Sequence, residues 1–140
     1  LRAWKGQVYA IEKKEDALAL LKENRRKFAT DNLEIVPGTA PEAMVELPVP
    51  THAFIGGSSG NMNEIIRLLL DKNPEVRIVI NCITLETVTE AMNAIRDFSL
   101  TDVDIVQLSA ARSKSIGRYH MMMGENPIYI ISCSGRGEEI

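Results

Sequence analysis

Residues 54–60 read Phe-Ile-Gly-Gly-Ser-Ser-Gly, and residues 61–64 continue as Asn-Met-Asn-Glu. The first two residues end an apolar run that predicts a strand, and the glycines predict a loop. The asparagine with a glutamate three residues later predicts a helix start. In an open α/β sheet, a strand that ends in such a loop borders the ligand crevice. This stretch therefore predicts an α/β fold with a ligand site at the carboxyl ends of its strands.

Two earlier junctions repeat this pattern of a strand followed by a loop. Val8-Tyr9-Ala10-Ile11 leads into Glu12, and Leu33-Glu34-Ile35-Val36 leads into Pro37-Gly38-Thr39-Ala40. Between them, residues 15–28 have helical spacing and begin with acids, which the helix dipole favours. Because the carboxyl ends of parallel strands meet at one edge of a sheet, we expect these three strand ends to face one pocket.

The second half of the chain predicts one more strand and helix, and then a different arrangement. Residues 77–83 are rich in β-branched side chains, and Thr-Val-Thr-Glu at 87–90 predicts a helix cap. Residues 103–109 and 128–133 also predict strands, but residues 110–126 between them show no helical pattern and are predicted to form a loop. Without a crossover helix, the two strands are expected to be antiparallel neighbours.

These elements predict an α/β fold with a mostly parallel sheet and an antiparallel C-terminal strand. The 140 residues, 45% of them hydrophobic, fit a single domain over 1–140. The formal net charge of −3 offers no field for a nucleic-acid backbone, so no nucleic acid is expected. No apolar run reaches the about 18 residues of a membrane helix, and no secretion signal is evident. A cytoplasmic protein with no membrane partner is the prediction.

The chain lacks the residue patterns of nucleophilic and metal catalysis. Cys82 and Cys133 lie in apolar runs, which predicts buried free thiols. No Ser/His/Asp, Cys/His or metal-ligand set has convincing spacing, so we expect no metal and assign no catalytic residue.

Glu12 and the turn at Gly38-Thr39-Ala40 are candidate nucleoside contacts. A carboxylate suits a ribose diol because it offers two acceptor oxygens and no donor. Glycine at 38 would let a flat base lie against the backbone. The alternatives are that Glu12 is a solvated charge within Glu-Lys-Lys-Glu-Asp and that residues 38–40 form an ordinary turn.

Two further segments suggest where a substrate could bind. The segment Gly56-Gly57-Ser58-Ser59-Gly60 could cradle the polar end of a ligand or leave room for a bulky substrate, and an ordinary glycine-rich loop is the alternative. Residues 110–124 hold three basic side chains and one histidine, with no acid: Arg112, Lys114, Arg118 and His120. A positive loop over a crevice favours a polyanionic small molecule, although incidental solvated charges remain the alternative. The run at 121–123, Met-Met-Met, is typical of core filler or a subunit contact.

Four motifs, taken jointly, carry a resemblance to a known family. They are Val8-Tyr9-Ala10-Ile11-Glu12, Gly38-Thr39-Ala40-Pro41-Glu42-Ala43, Phe54-Ile55-Gly56-Gly57-Ser58-Ser59-Gly60-Asn61 and Asn81-Cys82-Ile83-Thr84-Leu85-Glu86-Thr87, followed by Glu125-Asn126-Pro127-Ile128-Tyr129-Ile130-Ile131-Ser132. In this order they resemble the decarboxylating precorrin-6Y C5,15-methyltransferases, specifically the domain that methylates carbon 15 of cobalt-precorrin-6B. The resemblance covers nearly the whole chain.

The resemblance implies a class I, Rossmann-like methyltransferase of cobalamin biosynthesis, a three-layer sandwich that uses S-adenosyl-L-methionine. Glu12 would bind the ribose hydroxyls, Gly38-Thr39-Ala40 would lie at the adenine, and Gly56-Gly57 would lie near the sulfonium methyl. In the family, methylation accompanies loss of carbon dioxide from an acetate of a tetrapyrrole. The acetates and propionates of the tetrapyrrole would suit the basic segment at 110–124, which is a hypothesis from charge and not a family assignment. Ser58, Asn81 and Thr84 are hypothetical substrate contacts. Asn81, Thr84 and Glu86, at the end of the fourth strand, are candidates by position for promoting decarboxylation. The family also implies a homo-oligomer, a tetramer.

One departure from the family concerns the start of the chain. The family has a first strand and a glycine-rich loop upstream of the position of Leu1, and no Gly-x-Gly-x-Gly precedes Glu12. In the family that strand lies between those at Val8 and His52. We therefore expect that an N-terminal βα unit of roughly thirty residues is missing and that two interior strands have unpaired edges.

Three other functions remain open at this point. Another class I methyltransferase, acting on RNA or a small molecule, would use the same ribose acid and adenine turn. A dinucleotide-binding oxidoreductase also places an acid after its second strand, although the antiparallel last strand disfavours it. A non-catalytic assembly module could keep the fold without the loop.

Overall fold

The computed structural model describes residues 5–57 and 60–136, and the chain divides into two compact units, Leu1–Pro48 and Val49–Ile140. The first unit contains β1 (Val8–Glu12), α1 (Glu15–Lys27), β2 (Leu33–Pro37) and a short 3₁₀ helix (Glu42–Met44). The second contains β3 (His52–Ile55), α2 (Met62–Lys72), β4 (Arg77–Cys82), α3 (Leu85–Asp97), β5 (Thr101–Leu108), β6 (Ala111–Ile116), β7 (Tyr119–Gly124) and β8 (Ile128–Ser134).

The first unit is a β-α-β arrangement whose two strands are parallel. Val8 is in register with Leu33, and Glu12 with Pro37, so both strands end at the same level. The guanidinium of Arg25, in the last turn of α1, donates to the carbonyl oxygen of Leu33 at 3.3 Å and ties the helix to the start of β2. Among the described residues of this unit, Met44 is the one apolar side chain that is buried. The predicted strands and helix are confirmed here.

The second unit is built on a four-stranded sheet in the order β3-β4-β8-β5. Strands β3 and β4 are parallel, whereas β8 is antiparallel to both β4 and β5. The prediction that the two C-terminal strands are antiparallel neighbours is confirmed, with Leu108 in register with Ile128. The mostly parallel sheet with an antiparallel strand is therefore the architecture that the sequence predicted.

The core of the second unit lies on one face of this sheet. Alternate residues of β4 and β8 are buried there together with side chains of helices α2 and α3, among them Ile78, Ile80, Cys82, Ile131, Cys133, Met62, Ile65, Ile66, Leu69, Ala91 and Ala94. Alternation follows from the two-residue period of a strand. Both cysteines are free and buried as predicted, and burial raises the pKa of each thiol.

The prediction of a loop over 110–126 is wrong, because β6 and β7 form a hairpin there. The two strands pair antiparallel from Ala111 opposite Gly124 to Ile116 opposite Tyr119. Gly117 and Arg118 form the two-residue connection, and Gly117 has a φ of +61°, as in the hairpin turns that begin with glycine. Every residue of both strands is exposed, so no buried face imposes a hydrophobic alternation on the sequence.

The predicted cap of α3 is also wrong, by three residues. The helix begins at Leu85, and the hydroxyl oxygen of Thr84 accepts a hydrogen bond from the backbone N–H of Thr87 at 3.1 Å. The backbone of Thr84 is extended, with φ −106° and ψ 155°, as an N-cap requires. Thr87 lies inside the first turn and supplies the donor.

The hairpin begins at the strand-carboxyl edge of the second unit. Strand β5 runs parallel to β4, because both are antiparallel to β8, and Cys82 and Gln107 share Tyr129 as register partner. Past this edge, the N–H of Glu125 donates to the carbonyl oxygen of Ala110 at 2.9 Å. The six-residue strands β6 and β7 then continue for about 20 Å.

Two further expectations concern strand edges and membranes. Within the described ranges, β1 pairs with β2 alone, and β3 pairs with β4 alone. The expected N-terminal βα unit and the single domain over 1–140 stay predictions.

Within residues 5–57 and 60–136, no helix is long and apolar enough to cross a membrane.

Candidate ligand-binding site

Glu12 ends β1 with a carboxylate that the local backbone holds in place. Its Oε1 accepts hydrogen bonds from the N–H groups of Lys14 and Lys13, both at 2.9 Å. These donors, that of Lys14 first and that of Lys13 second, hold the pKa of Glu12 below its usual value. Both bonds use Oε1. The carboxylate of Glu12 is therefore ionised and held in one orientation, and its Oε2 can accept a hydrogen bond from a ligand.

Gly38 follows β2 and is joined directly to the end of β1. Its N–H donates to the carbonyl oxygen of Glu12 at 3.0 Å, and its φ is +147°. A Cβ at this position would lie 3.0 Å from the Cβ of Ala43. The carbonyl oxygen of Thr39 accepts from the N–H of Ala43 at 2.9 Å, and a cis peptide bond links Ala40 to Pro41. The first unit thus brings Glu12 and residues 38–40 together.

Gly56 and Gly57 lie at the corresponding end of β3 in the second unit. Among residues 5–57 and 60–136, no atom lies within 4 Å of a Cβ built on Gly57, whereas a Cβ on Gly56 would lie 3.2 Å from the ring of Phe54. The backbone at Gly57 is therefore open to a bulky neighbour. Ser58, the predicted contact that follows, lies outside the described residues.

Asn81 and Thr84 lie at the end of the next strand, and the structure gives them different surroundings. The Oδ1 of Asn81 is buried and has no hydrogen-bond partner in the described part of the chain. The hydroxyl of Thr84 bonds with the N–H and the hydroxyl of Thr87, at 3.1 Å and 2.8 Å. Thr84 therefore already has a structural role as the cap of α3, whereas Asn81 retains an unused acceptor.

The four predicted basic contacts lie on the β6–β7 hairpin instead of on a loop. Cross-strand pairs share a face, so Arg112 and Lys114 lie on one face and His120 on the other, with Arg118 in the turn. The guanidinium Nε of Arg112 is 3.8 Å from a carboxylate oxygen of Glu125 at the base of the hairpin. The hairpin spreads these charges over both faces and its tip, above the edge that also carries Gly57 and Asn81.

A family model described as "Precorrin methyltransferase domain" matches residues 1–134. The chain belongs to this family. The precorrin methyltransferase match extends over both units, and it confirms the resemblance that the strand-end motifs indicated.

A relative and a solved structure agree with this assignment. The chain is 38% identical over 127 residues to the probable cobalt-precorrin-6B C(15)-methyltransferase (decarboxylating) of Methanothermobacter thermautotrophicus, covering 89% of this chain and 66% of that protein. The crystal structure of precorrin-6y C5,15-methyltransferase from Geobacter metallireducens GS-15 superposes with a TM-score of 0.82 at 34% identity, covering 92% of this chain and 68% of that one. The chain thus spans just under two thirds of the curated relative's length.

The fold itself is that of the class I methyltransferases. A SAM-dependent O-methyltransferase from Thermotoga maritima superposes with a TM-score of 0.69 at 15% identity, covering 96% of this chain and 52% of that one. At this identity the likeness concerns the fold alone. It agrees with the predicted α/β class.

Two features of this edge were missed by reasoning from the sequence. The hairpin had one usable signal, the Ile-Gly-Arg-Tyr turn at 116–119 between segments of strand length. The sequence held no signal for the burial of the Asn81 side-chain oxygen, because burial of one side-chain atom depends on which strands lie beside it.

Proposed function

We propose that this protein is a cytoplasmic methyltransferase of cobalamin biosynthesis that uses S-adenosyl-L-methionine. Its substrate is cobalt-precorrin-6B, which it methylates at carbon 15 while an acetate side chain loses carbon dioxide. The observation that carries the proposal is the fixed carboxylate of Glu12, bonded through its backbone to Gly38. Family membership supports the substrate class.

The residues present fit this cofactor. Oε2 of Glu12 accepts from a ribose hydroxyl, while Oε1 stays bonded to the backbone of residues 13 and 14. The turn at 38–40 offers a backbone surface without a side chain at Gly38, which suits a flat adenine. In the second unit, no described atom lies within 4 Å of a Cβ on Gly57, which supports room for a bulky group at the end of β3. When bound, S-adenosyl-L-methionine supplies an electrophilic methyl group.

The proposed reaction balances without a redox partner. The bond between the acetate methylene and its carboxyl breaks, and its electron pair reaches carbon 15 through the conjugated macrocycle. That carbon would form the new bond to the methyl group that the bound cofactor would supply, and the electron pair of the broken S–CH₃ bond would leave with S-adenosylhomocysteine. The contribution of the protein is to align the two molecules and to exclude water.

Binding of S-adenosylhomocysteine, the product of the cofactor, tests the nucleotide part of the proposal. Calorimetric titration of the protein is expected to show binding of S-adenosylhomocysteine and none of NAD⁺. Binding of NAD⁺ alone would favour an oxidoreductase, and binding of neither would favour an assembly module.

The basic tip of the hairpin fits a substrate rimmed with carboxylates. Arg118→Glu is expected to raise the KM for cobalt-precorrin-6B about 10-fold, because one charge-assisted hydrogen bond is lost and a repulsion is added. Steady-state kinetics measure this change, and added salt should reduce the difference. The matched control is Arg96→Glu, on the exposed surface of α3. An unchanged KM for Arg118→Glu would reject the contact.

We infer that the protein is a homo-oligomer, a tetramer, in which the hairpin is a subunit contact. An isolated two-stranded hairpin is at best marginally stable in water. One face of this hairpin carries four exposed apolar side chains, Ile116, Tyr119, Met121 and Met123, beside Arg112 and Lys114, and Tyr119 is 70% exposed. Packing the four apolar side chains against other copies would remove them from water, with the two cations at the rim of the contact.

Lysines at two positions of this face are expected to dissociate the assembly. The double variant Met121→Lys, Met123→Lys places charges in the proposed contact, and sedimentation velocity should show a smaller species. The control, Ser113→Lys with Ser115→Lys, adds the same charge on the opposite face and should leave the mass unchanged. A wild-type monomer, or a variant that assembles like wild type, would contradict the contact.

A further inference from the structure

Asn81 carries a polar group for which the fold provides no partner. Its Oδ1 is buried and accepts no hydrogen bond in residues 5–57 and 60–136. In the sheet register it is level with Ile130 of β8, which is level with Val106 of β5. These neighbours on the same face are apolar and supply no side-chain donor. Since nearly all buried acceptors in folded proteins are paired, this oxygen needs a donor from another molecule or segment.

Asn73 shows how the same chain satisfies a structural asparagine. It lies between α2 and β4, at the amino end of β4. Its Nδ2 donates to the carbonyl oxygen of Pro50 at 2.8 Å, and its Oδ1 accepts from the N–H of Glu75 at 3.0 Å. Asn73 precedes β4 and Asn81 lies within β4 near its carboxyl end, and the asparagine at the amino end has both of its side-chain groups paired.

The position of Asn81 indicates which molecule supplies the missing donor. It follows Ile80, whose register partner on β3 is Ile55, and Gly56 comes next on β3. This is the carboxyl edge, where open α/β sheets bind ligands. Strand β4 lies one strand beyond β3. If Gly56 and Gly57 border the methyl group, the part of the ligand nearest Asn81 is the methyl acceptor.

We propose that Asn81 is a substrate-binding residue whose Oδ1 accepts a hydrogen bond from the O–H of a side-chain carboxyl group of the methyl acceptor in its protonated form. The inference rests on the proposed function and adds a substrate contact to it. The bond forms only in the complex, so the free protein holds a buried acceptor unpaired. This arrangement lowers the stability of the free protein and orients the substrate.

Asn81→Leu and Asn73→Leu form a matched pair that separates this role from a structural one. Asn81→Leu removes the unpaired acceptor at similar volume, so its Tm is expected to equal or exceed that of wild type. Its KM for cobalt-precorrin-6B is expected to rise about 10-fold, with the Kd for S-adenosylhomocysteine unchanged. Asn73→Leu loses two hydrogen bonds and is expected to lower Tm and leave KM unchanged.

Two further variants keep the test decisive. Asn81→Met is used instead if the Asn81→Leu variant does not fold because leucine does not fit beside Ile130. Asn81→Gln retains the carboxamide, so its KM should lie between those of Asn81→Leu and wild type. A lowered Tm with unchanged KM in Asn81→Leu would overturn the inference. A change in the Kd for S-adenosylhomocysteine in place of KM would overturn it too. Failure of wild type to bind that nucleotide would instead reject the proposed function, before any variant is compared.

Discussion

Glu12→Gln is expected to weaken the binding of S-adenosylhomocysteine about 100-fold. The carboxylate accepts hydrogen bonds from the ribose diol, and bonds to an ionised acceptor are stronger than neutral ones. The amide of glutamine replaces one acceptor oxygen by a donor, which would face the donors of the diol. The retained carbonyl oxygen still accepts from the N–H groups of Lys13 and Lys14, so the local fold should persist. Calorimetric titration measures the change.

The control for this variant is Glu34→Gln. Glu34 is an exposed carboxylate within β2, in register with Tyr9 and away from the strand end. This substitution makes the same change of charge and should leave the Kd for S-adenosylhomocysteine and the Tm unchanged. If Glu12→Gln bound the nucleotide as tightly as wild type, Glu12 would be the solvated charge that its acidic and basic neighbours also suggest.

Gly38→Ala is expected to lower the free energy of unfolding by about 1–3 kcal/mol and to weaken nucleotide binding. The backbone φ of +147° is one that residues with a Cβ rarely adopt, and the new Cβ would lie 3.0 Å from that of Ala43. To relieve the unfavourable φ and the close contact with Ala43, the turn at 38–40 must move away from the end of β1. The N–H of Gly38 now bonds there to the carbonyl oxygen of Glu12. Urea unfolding and calorimetry measure the two effects.

Two variants identify the cause of the Gly38→Ala effect. Adding Ala43→Gly removes the contact but not the unfavourable φ, so partial recovery of stability is expected. Gly57→Ala adds a Cβ that meets no atom within 4 Å in the part of the chain that the structure describes, so its stability should equal that of wild type. Wild-type stability in Gly38→Ala would show that the turn tolerates a side chain and would remove the reason for glycine there.

The sequence predicted the elements whose side chains are constrained by burial. The run of β-branched side chains at 77–83 located β4 within one residue, and the structure buries every second side chain of Arg77–Cys82. The hairpin Ala111–Gly124 lacked such a constraint, because both of its faces are exposed. Its polar and apolar residues therefore alternate without a regular period, and the glycine turn was the remaining signal.

The site was predictable as far as strand ends determine it. Glu12 and Gly38 were located because parallel strands place their carboxyl ends at one edge. The bonds from Lys13 and Lys14 that fix Glu12 depend on how the backbone turns after β1. Thr84 and Asn81 looked equivalent in sequence, and they differ because a helix begins directly after Thr84. Whether a polar side chain is paired within the protein is therefore determined by tertiary structure.

The most direct test of the central claim is product analysis with isotopically labelled methyl groups. The protein is incubated with methyl-labelled S-adenosyl-L-methionine and cobalt-precorrin-6B, and the tetrapyrrole is examined by mass spectrometry and NMR. The account predicts one labelled methyl group at carbon 15, one carboxyl fewer, and carbon dioxide in equal amount to S-adenosylhomocysteine. A methylated product that retains every carboxyl, or a tetrapyrrole of unchanged mass, would contradict it.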